Sequence, residues 1–405
     1  MSEVEKQQKK KMQEKQREYQ DFTFLANIMF KTLGYDFLDS ARPSWQTGLL
    51  RCYFFVCIAS SSYEAFFVAL ECLQVESVAG SPSKIMRRAL HFFYMLSAAV
   101  KFVTLMIYRK RLRTLILSLK ELYPADESLR REYEVNKYYL PRSTRYVFYS
   151  YYCFMAVMAI GPLPQSFMMY FLKGHFPFLR TFPTQLCFRS DTPVGYAVAY
   201  FMDLTYSQFV VNVSVGADLW MMCVSSQICM HFGYLAKKLA AYLPSRERER
   251  EDCEFLASLV QKHQLILRLH KEVNQIFGIL LASNLFTTAS LLCCIGFYTV
   301  VEGRSEEGMS YMIIFVVVSA QFYMVSSFGQ QLIDLSSSIS MAAYSQYWYD
   351  GSLRYKKDLL LIMARAQRPA EISAKGIIII SLDTFKILMT ITYRFFAAIR
   401  QTVGK

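Results

Sequence analysis

Apolar residues in this chain come in long runs that polar segments separate, a pattern typical of helices that cross a membrane. A helix needs about 20 apolar residues to span about 30 Å of hydrocarbon. Seven runs approach or exceed that length, at 47–71, 86–108, 145–172, 194–222, 273–301, 309–333 and 376–401. The pattern therefore predicts an all-α membrane protein with seven transmembrane helices.

The segment before the first run, residues 1–46, has the periodicity of an amphipathic helix. Phe22, Leu25 and Met29 recur at helical spacing beside the charged Lys31. This predicts a cytosolic N-terminal segment that lies at the inner membrane surface. Both a re-entrant or interfacial segment and a plain surface helix fit the spacing.

The segment between the fourth and fifth runs, residues 223–272, also predicts helix. Helical character continues to about Ala241, breaks at Pro244 and resumes near Cys253. The charges between them alternate in sign, as on a solvated loop. We expect cytosolic helical extensions joined by that loop.

Charge sets the orientation of the chain. Its net charge is +13, with 54% hydrophobic residues. The segments that seven spans place inside hold 31 Lys and Arg residues, and the outer segments hold 6. Because basic residues accumulate on the cytosolic side, we expect a cytosolic N-terminus and an extracellular C-terminus. The positive charge thus reflects topology, and we predict no nucleic-acid partner.

Catalytic and metal-binding patterns are missing from the sequence. The five histidines are scattered, and phosphate-binding glycine loops and paired catalytic carboxylates do not occur. The ten cysteines have neither metal spacing nor a disulfide framework, although Cys72 and Cys187 would both lie outside. We therefore predict that the chain is not an enzyme and uses no cofactor or metal.

The carboxy-terminal tract carries the most specific pattern. It contains Phe328-Gly329-Gln330-Gln331-Leu332, an aromatic segment that the pattern predicts as continued helix, and Arg365-Ala366-Gln367-Arg368-Pro369, where proline ends a helix. It continues with Ser381-Leu382-Asp383-Thr384-Phe385 before the last apolar span. These motifs, in this order and spacing, resemble the signature region of the insect odorant receptors.

The resemblance covers about 75 residues closely and the rest in length, hydropathy and charge layout. It implies one subunit of a tetrameric ligand-gated, non-selective cation channel, located in the plasma membrane of sensory neurons. The loop between the fourth and fifth spans lacks the insertion of the shared co-receptor, so the chain resembles an odorant-specific tuning subunit. Its expected partners are a small volatile, aromatic or apolar odorant, co-receptor subunits in a heterotetramer, and membrane lipid.

On this reading the chain divides into six parts. Residues 1–46 are the N-terminal segment, 47–222 hold helices 1–4 as the ligand-binding bundle, and 223–272 are cytosolic extensions. Residues 273–333 hold helices 5–6, 334–375 form a cytosolic anchor and loop, and 376–405 form the pore-lining helix 7. The resemblance assigns subunit contacts to the anchor, and we expect its aromatic residues Tyr344, Trp348 and Tyr349 to take part.

An apolar odorant needs a concave apolar pocket with few polar groups. The outer halves of spans two, three, four and six supply such walls. The candidate ligand residues are Phe92, Phe93, Leu96, Met155, Met158, Gly161, Tyr196, Tyr200, Asp203, Leu204, Ile314 and Val318. Asp203 is an ionisable group at membrane depth and thus a functional candidate. Tyr200, Tyr206, a ligand or a neighbouring base are all possible partners for its carboxylate.

The last span supplies the predicted pore. Arg394, Ala398 and Thr402 are spaced four residues apart and share a helix face. The resemblance places Ala398 at a narrow apolar gate, whereas Arg394 departs from the family pattern of a small polar residue. Four such arginines would repel cations. Arg394 therefore lies either in a pore with fewer copies of this chain or at a subunit interface.

Two alternatives remain from the sequence. A gustatory-type receptor channel of the same fold would end in a Thr-Tyr-x5-Gln-Phe pattern, of which only Thr392-Tyr393 is present. A small-molecule membrane transporter would show two similar halves. No such repeat is visible, and the motifs of G-protein-coupled receptors do not occur either.

Overall fold

The structure, a computed structural model, describes residues 3–37, 44–73, 82–138, 160–180, 188–302 and 306–403, with helical positions 149, 153 and 156. Side chains are described over these ranges except at 3–17, 44, 71–73, 82–87, 299–302, 306–310, 399, 402 and 403. The first described helices are α1 (Glu3–Thr32), α2 (Ser44–Leu73), α3 (Pro82–Ile107), α4 (Arg109–Leu122), α5 (Glu127–Glu132), α6 (Val135–Tyr138) and α7 (Pro162–Lys173). The next elements are α8 (Pro193–Ala240), α9 (Glu249–Glu302), α10 (Glu306–Ser345), α11 (Leu353–Ala366), strands β1 (Ser373–Ala374) and β2 (Ile378–Ile379), and α12 (Leu382–Val403).

Helix α8 is the central column of the fold. Its 48 residues have no polar face, and helices α1, α2, α3, α9 and α10 pack around it. A helix that is apolar on all sides must be buried, and nearly every side chain from Thr205 to Leu235 is buried. Thr192 caps its first turn by accepting a hydrogen bond from the Gly195 amide at 3.2 Å.

Helix α1 packs against protein on its apolar face. Phe22 and Phe30 are buried, and Phe30 lies so close to Gly216 of α8 that a Cβ there would overlap its ring. The Tyr19 hydroxyl donates to the Ile116 carbonyl of α4 at 3.0 Å. The periodicity of residues 1–46 thus predicted the amphipathic helix, but α8 and α4 cover the apolar stripe that we had assigned to the membrane surface.

Five described helices are long and apolar enough to cross a membrane, namely α2, α3, α8, α9 and α10. Of the predicted third span, 145–172, the part from 145 to 159 lies outside the described residues except at 149, 153 and 156, and α7 contains the end of the span. Helix α12 has 22 residues, which is long enough to span. Unlike the other five it has no long stretch that is nearly free of charge, because it carries Asp383, Lys386, Arg394 and Arg400.

Helices α8 and α9 are longer than the about 20 residues that cross a membrane, and they cover most of 223–272, where the sequence predicted helical extensions. At about 1.5 Å per residue, the 54 residues of α9 extend about 80 Å. Helix α9 begins at Glu249 and not near Cys253, because acidic residues in its first turn favour the helix dipole. Among them, Asp252 accepts from the Tyr242 hydroxyl at 2.6 Å and the Ser245 amide at 2.9 Å. These bonds join the two extensions.

The aromatic segment after α10 differs from its predicted form. We expected a continuous helix through Trp348 and Tyr349, but α10 ends at Ser345 and Trp348–Asp350 form a 3-10 turn. The reversal is held by the Tyr355 hydroxyl, which donates to the side-chain carbonyl of Gln346 at 2.8 Å. The chain then re-enters helix at α11, which ends at Ala366 shortly before Pro369, as predicted.

The last helix also begins later than predicted, at Leu382 and not at 376. The apolar residues Ile378 and Ile379 instead form β2, which pairs antiparallel with β1. Lys375 and Gly376 make the turn between the strands with positive φ values of 55° and 76°. An apolar run cannot distinguish a short strand from a first helical turn, and this hairpin is the exception to the all-α prediction among the described residues.

Three residues on the long helices hold the hairpin segment. The Asn274 amide donates to the Glu371 carbonyl at 2.7 Å and accepts from the Ser373 amide at 3.1 Å. Ser336 accepts from the Ala370 amide at 2.8 Å. Gly329, from the signature motif, lies against the Ile380 carbonyl, where a Cβ would overlap the oxygen. The hairpin is therefore fixed between α9 and α10 directly before α12.

Candidate functional site

Asp203 of α8 lies in a buried charged cluster near the outer end of the bundle. Its carboxylate accepts from the Arg180 guanidinium at 2.6 Å, and Arg180 also lies 3.6 Å from the Glu64 carboxylate of α2. All three side chains are at most 6% exposed. A buried carboxylate requires a close partner. Of the partners that the sequence left open, the structure therefore places a base, Arg180, beside Asp203.

The segment before Arg180 packs onto the outer end of α8. The Tyr196 hydroxyl donates to the Leu179 carbonyl at 2.8 Å, and the Leu179 amide donates to the Ser166 hydroxyl at 3.2 Å. The rings of Phe176 and Phe178 lie 5.7 and 5.3 Å from the Tyr196 ring in edge-to-face contact. This extracellular segment therefore covers Tyr196 and the buried charges below it.

Tyr200 joins the same cluster. Its hydroxyl donates to the Ile160 carbonyl at 3.0 Å, directly before Gly161, and its ring stacks on Tyr196 at 5.7 Å. Leu204, beside Asp203, is half-buried. Four predicted ligand residues, Gly161, Tyr196, Tyr200 and Asp203, are therefore brought together, but the polar groups of the last three bind other parts of the chain.

A second set of predicted ligand residues lies between α3, α9 and α10. The Phe93 ring is 6.2 Å from Phe286 of α9 and 5.7 Å from Phe92. Phe93 and Ile314 both pack on a small core of Leu90, Leu291 and Ile295. Phe92 and Leu96 are half-buried on the same helix as Phe93. The apolar candidates thus gather around α9, which the sequence had not included in the pocket.

Val318 lies further along α10 and faces a different neighbour. It is buried with Leu292, Phe322 and Leu388, the last of which belongs to α12. Ile314 packs on both this cluster and the one around Phe93. Helix α10 therefore connects the predicted ligand region to the predicted pore helix. The remaining candidates, Met155 and Met158, lie outside the described residues.

A buried ion pair that the sequence analysis did not single out joins three helices. The Lys101 ammonium of α3 lies 2.9 Å from the Asp218 carboxylate of α8, and both side chains are at most 1% exposed. Lys101 also donates to the Ser214 carbonyl at 3.2 Å, and the Gln321 amide of α10 donates to Asp218 at 2.6 Å. The sequence could have indicated this pair, because it places a lysine and an aspartate inside predicted spans, and charges at membrane depth are costly unless paired.

Helix α12 packs on α9 and α10 with one face only. Leu388 and Thr392 are buried on that face, while Ile387, Ile391, Arg394 and Ala398 are exposed on the other side. The predicted pore residues Arg394 and Ala398 therefore both lie on the outward face. The side chain of Thr402, the third predicted pore residue, is not among those that the structure describes.

The predicted anchor residues are exposed at the cytosolic end. Tyr344 is 63%, Trp348 37% and Tyr349 51% exposed. Leu353 and Leu361 of α11 add apolar area, each at 70% exposure. Exposed apolar patches of this kind mark interaction surfaces.

A cleft of about 680 Å³ opens at the cytosolic side, between the middle of α1 and helices α5 and α6. Its lining includes Arg130, which pairs with Glu18 at 2.9 Å, as well as Glu127 and Lys137. So many charged groups do not suit an apolar odorant. Among the described residues, no group of three or more acidic, histidine or cysteine side chains has the arrangement of a metal site.

Comparisons with known proteins give one consistent result. A family model described as 7tm Odorant receptor matches residues 81–393. Odorant receptor 49a of Drosophila melanogaster is 62% identical over 395 residues, 97% of this chain and all of that protein. Odorant receptor 85f of the same species is 33% identical over 393 residues, with the same coverage.

The fold is also similar to that of solved proteins. The insect olfactory receptor OR5 from Machilis hrabei in complex with eugenol matches with a TM-score of 0.78, covering 95% of this chain and 99% of that one. A second solved structure of the same receptor matches with a TM-score of 0.77. Both are 13% identical, so the likeness concerns the fold. It confirms the predicted all-α membrane architecture.

Proposed function

The chain belongs to the odorant receptor family, and from this premise we propose that it is the odorant-binding subunit of a heteromeric, ligand-gated, non-selective cation channel. Full-length similarity to odorant receptors supports a receptor and gives no support to an enzyme or a transporter. The observation that carries the channel function is the outward face of α12. That face places Arg394 and Ala398 away from the rest of the chain.

The outward face of α12 needs water or other subunits beside it. An arginine at membrane depth is costly against lipid tails, whereas a water-filled lumen or a subunit interface accommodates it. Cyclic assemblies place the same face of each subunit toward a common axis. In a tetramer, the face with Arg394 and Ala398 would then line the pore or adjoin it.

The odorant, we propose, occupies the outer half of the bundle beside α3, α9 and α10. Phe92, Phe93, Leu96 and Ile314 supply half-buried apolar and aromatic surface there. Aromatic side chains favour flat ligands through stacked or edge-to-face contacts. The solved receptor OR5 is described in complex with eugenol, and a small aromatic or apolar volatile is the ligand class that this lining suits.

Partner subunits would join at the cytosolic end. The exposed surface of Tyr344, Trp348 and Tyr349 lies where α10 turns into α11, next to the paired ends of α8 and α9. We assign the shared co-receptor to this surface, and the complex to the plasma membrane of sensory neurons. Interfaces concentrate their binding energy in such aromatic residues.

The experiment that tests this function is a recording of odorant-evoked cation current. Cells would express this chain alone, the co-receptor alone, or both, and receive a panel of aromatic and aliphatic volatiles. We expect current with a ligand profile that depends on this chain only when both are present. An unchanged profile when this chain is replaced by another tuning subunit would contradict its role in odorant binding.

A further inference from the structure

Four bases lie in five consecutive positions where α3 leaves the predicted membrane region. They are Arg109, Lys110, Arg111 and Arg113, at the start of α4. The backbone is nearly continuous across Tyr108, because its amide donates to the Thr104 carbonyl at 3.0 Å and its carbonyl accepts from the Leu112 amide at 2.9 Å. The bases are therefore presented on a rigid helix at the inner headgroup level.

The apolar side of α4 orients these bases outward. Leu112, Leu115 and Ile116 are buried in the core, while Arg109 and Lys110 are exposed. Residues four apart share a helix face, so Arg109 and Arg113 point in a similar direction. The result is a short basic surface that the rest of the fold holds in place.

Acidic residues are missing from the stretch of sequence around these bases. The sequence has no Asp or Glu between Glu76 and Glu121. Arg111 points to α9 and pairs with Glu272 at 3.3 Å. Arg109 and Lys110 form no ion pair with the residues that the structure describes.

Some bases elsewhere on the cytosolic side pair with acids. Arg131 pairs with Glu127, Lys237 lies 2.9 Å from Glu134, and Arg250 lies 3.0 Å from Glu254. Arg109 and Lys110 differ from these paired bases in that they follow directly on a predicted membrane span.

A neighbouring helix contributes a further base about one helical turn nearer the membrane centre. Arg51 is exposed on α2, about one turn nearer the cytosol than Phe54, whose ring lies 5.9 Å from Phe102 of α3. Trp45, 69% exposed at the inner end of α2, is the kind of residue that lies among headgroups. Two adjacent helices therefore both present bases near the inner leaflet.

We propose that Arg109, Lys110 and Arg51 bind the phosphorylated headgroup of a phosphoinositide in the inner leaflet. Clusters of bases directly cytoplasmic of a membrane helix attract anionic lipids. Arginine binds phosphate oxygens through two parallel hydrogen bonds, and a headgroup with several phosphates matches several bases on a rigid surface. Bound lipid would fix the inner end of α3, whose outer part carries Phe92 and Phe93.

The test uses the purified complex of this chain with its co-receptor and a photo-crosslinkable phosphatidylinositol 4,5-bisphosphate. Labelling is measured on this chain after the two subunits are separated by electrophoresis, so lipid sites on the co-receptor do not count. A base near an anionic surface contributes about a factor of five in affinity. Arg109→Gln/Lys110→Gln should therefore weaken labelling about 25-fold.

Two variants serve as controls. Arg248→Gln/Arg250→Gln removes the same charge from the start of α9 and the turn before it, beyond the membrane, and should label like the wild type. Arg109→Lys/Lys110→Arg keeps the charge and should retain most of the labelling, which separates loss of binding from loss of folding. Equal labelling of the Gln variant and the wild type would overturn the proposal.

Competition identifies the source of the phosphate. Unlabelled phosphatidylinositol 4,5-bisphosphate should compete strongly, and phosphatidylserine at equal concentration should compete weakly. Equal competition by phosphatidylserine would overturn specificity for a phosphoinositide. Strong competition by soluble inositol trisphosphate would identify a free phosphate as the ligand and overturn a lipid. Since odorant-evoked current is measured separately, its presence without labelling would refute this lipid site and leave the receptor function standing.

Discussion

Phe93 is the residue through which the proposed ligand region can be tested most directly. Its ring contacts α9, and the loss of one such aromatic contact costs about 0.5–1.5 kcal/mol beyond the area lost. Phe93→Ala should therefore raise the half-maximal odorant concentration several-fold in current recordings. Phe171→Ala on α7, where the ring is 81% exposed, is the matched control and should leave the dose-response curve unchanged. Superimposable curves for both variants at equal surface expression would place the ligand elsewhere.

Gly329 carries a structural role that the signature motif did not reveal. A Cβ at this position would overlap the Ile380 carbonyl, so Gly329→Ala should displace the hairpin and lower both thermal stability and surface expression. Gly48→Ala has open space around its Cβ and should be neutral or stabilising by about 0.5–1 kcal/mol. The melting temperatures of both variants in the purified complex would check this difference. Equal melting temperatures would mean that the hairpin shifts without cost.

Among the elements, α3, α8 and α10 depend on one buried ion pair. Removing one partner of such a pair costs about 3–5 kcal/mol because the other charge stays buried. Lys101→Met should thus sharply reduce folded receptor, and Lys101→Met/Asp218→Asn should recover most of it, because Gln321 keeps an acceptor. Lys173→Met, which removes an exposed lysine, controls for charge loss. Fluorescence-detected chromatography after heating would measure how much folded receptor each variant retains. A double variant as unstable as Lys101→Met would contradict the prediction.

Helix α12 gives a second prediction at the scale of elements. A narrow apolar constriction excludes water, so Ala398→Leu should reduce current without a large change in odorant affinity, and Ala398→Ser should raise basal leak. Ala398→Cys should react with an external thiol reagent in the open state, whereas Leu388→Cys, buried against α9 and α10, should not. Reaction of the Leu388→Cys variant but not of the Ala398→Cys variant would mean that the face with Leu388, and not the face with Ala398, lines the pore.

For elements, the sequence was most informative where one periodicity extended over many residues. The long apolar runs predicted α2, α3, α8, α9 and α10 because a helix makes all of its backbone hydrogen bonds within one segment, which lipid requires. It was least informative after Pro369, where Lys375 and Gly376 adopt positive φ and convert an apolar run into a hairpin. The predicted ligand residues fall into two separate groups in the structure for a related reason. Topology predicts depth, but which helix a side chain faces depends on packing.

For the whole molecule, the cytosolic bundle should respond to acid. Burial lowers the pKa of His231 to about 4, with Lys262 adding to the effect, and burial beside Arg365 lowers the pKa of His263 to about 4. Free histidine titrates near 6.5. The pKa values of these histidines in the folded protein lie below the free value. The stability of the fold that depends on neutral histidines is therefore complete above about pH 6.5 and is lost as pH falls toward 4. We expect the melting temperature of the complex to fall steadily over that range.

A variant that cannot titrate isolates the contribution of these histidines. His231→Gln/His263→Gln should melt with a weaker dependence on pH between 6.5 and 4 than the wild type. His175→Gln removes an exposed histidine from the outer loop and should leave the slope unchanged. Identical slopes for all three proteins would assign the acid response to other groups.

The packing of α1 on α8 has a consequence for how the receptor is made. About 160 residues separate the end of α1 from the start of α8. At about 5–20 residues per second, translation of that interval takes about 10–30 seconds. During that time Phe22 and Phe30 have no α8 surface to cover them, because the ribosome has not yet produced it. A cytosolic chaperone that shields an amphipathic helix would meet this need, so the amount of functional receptor in a neuron would depend on how well the nascent first helix is protected.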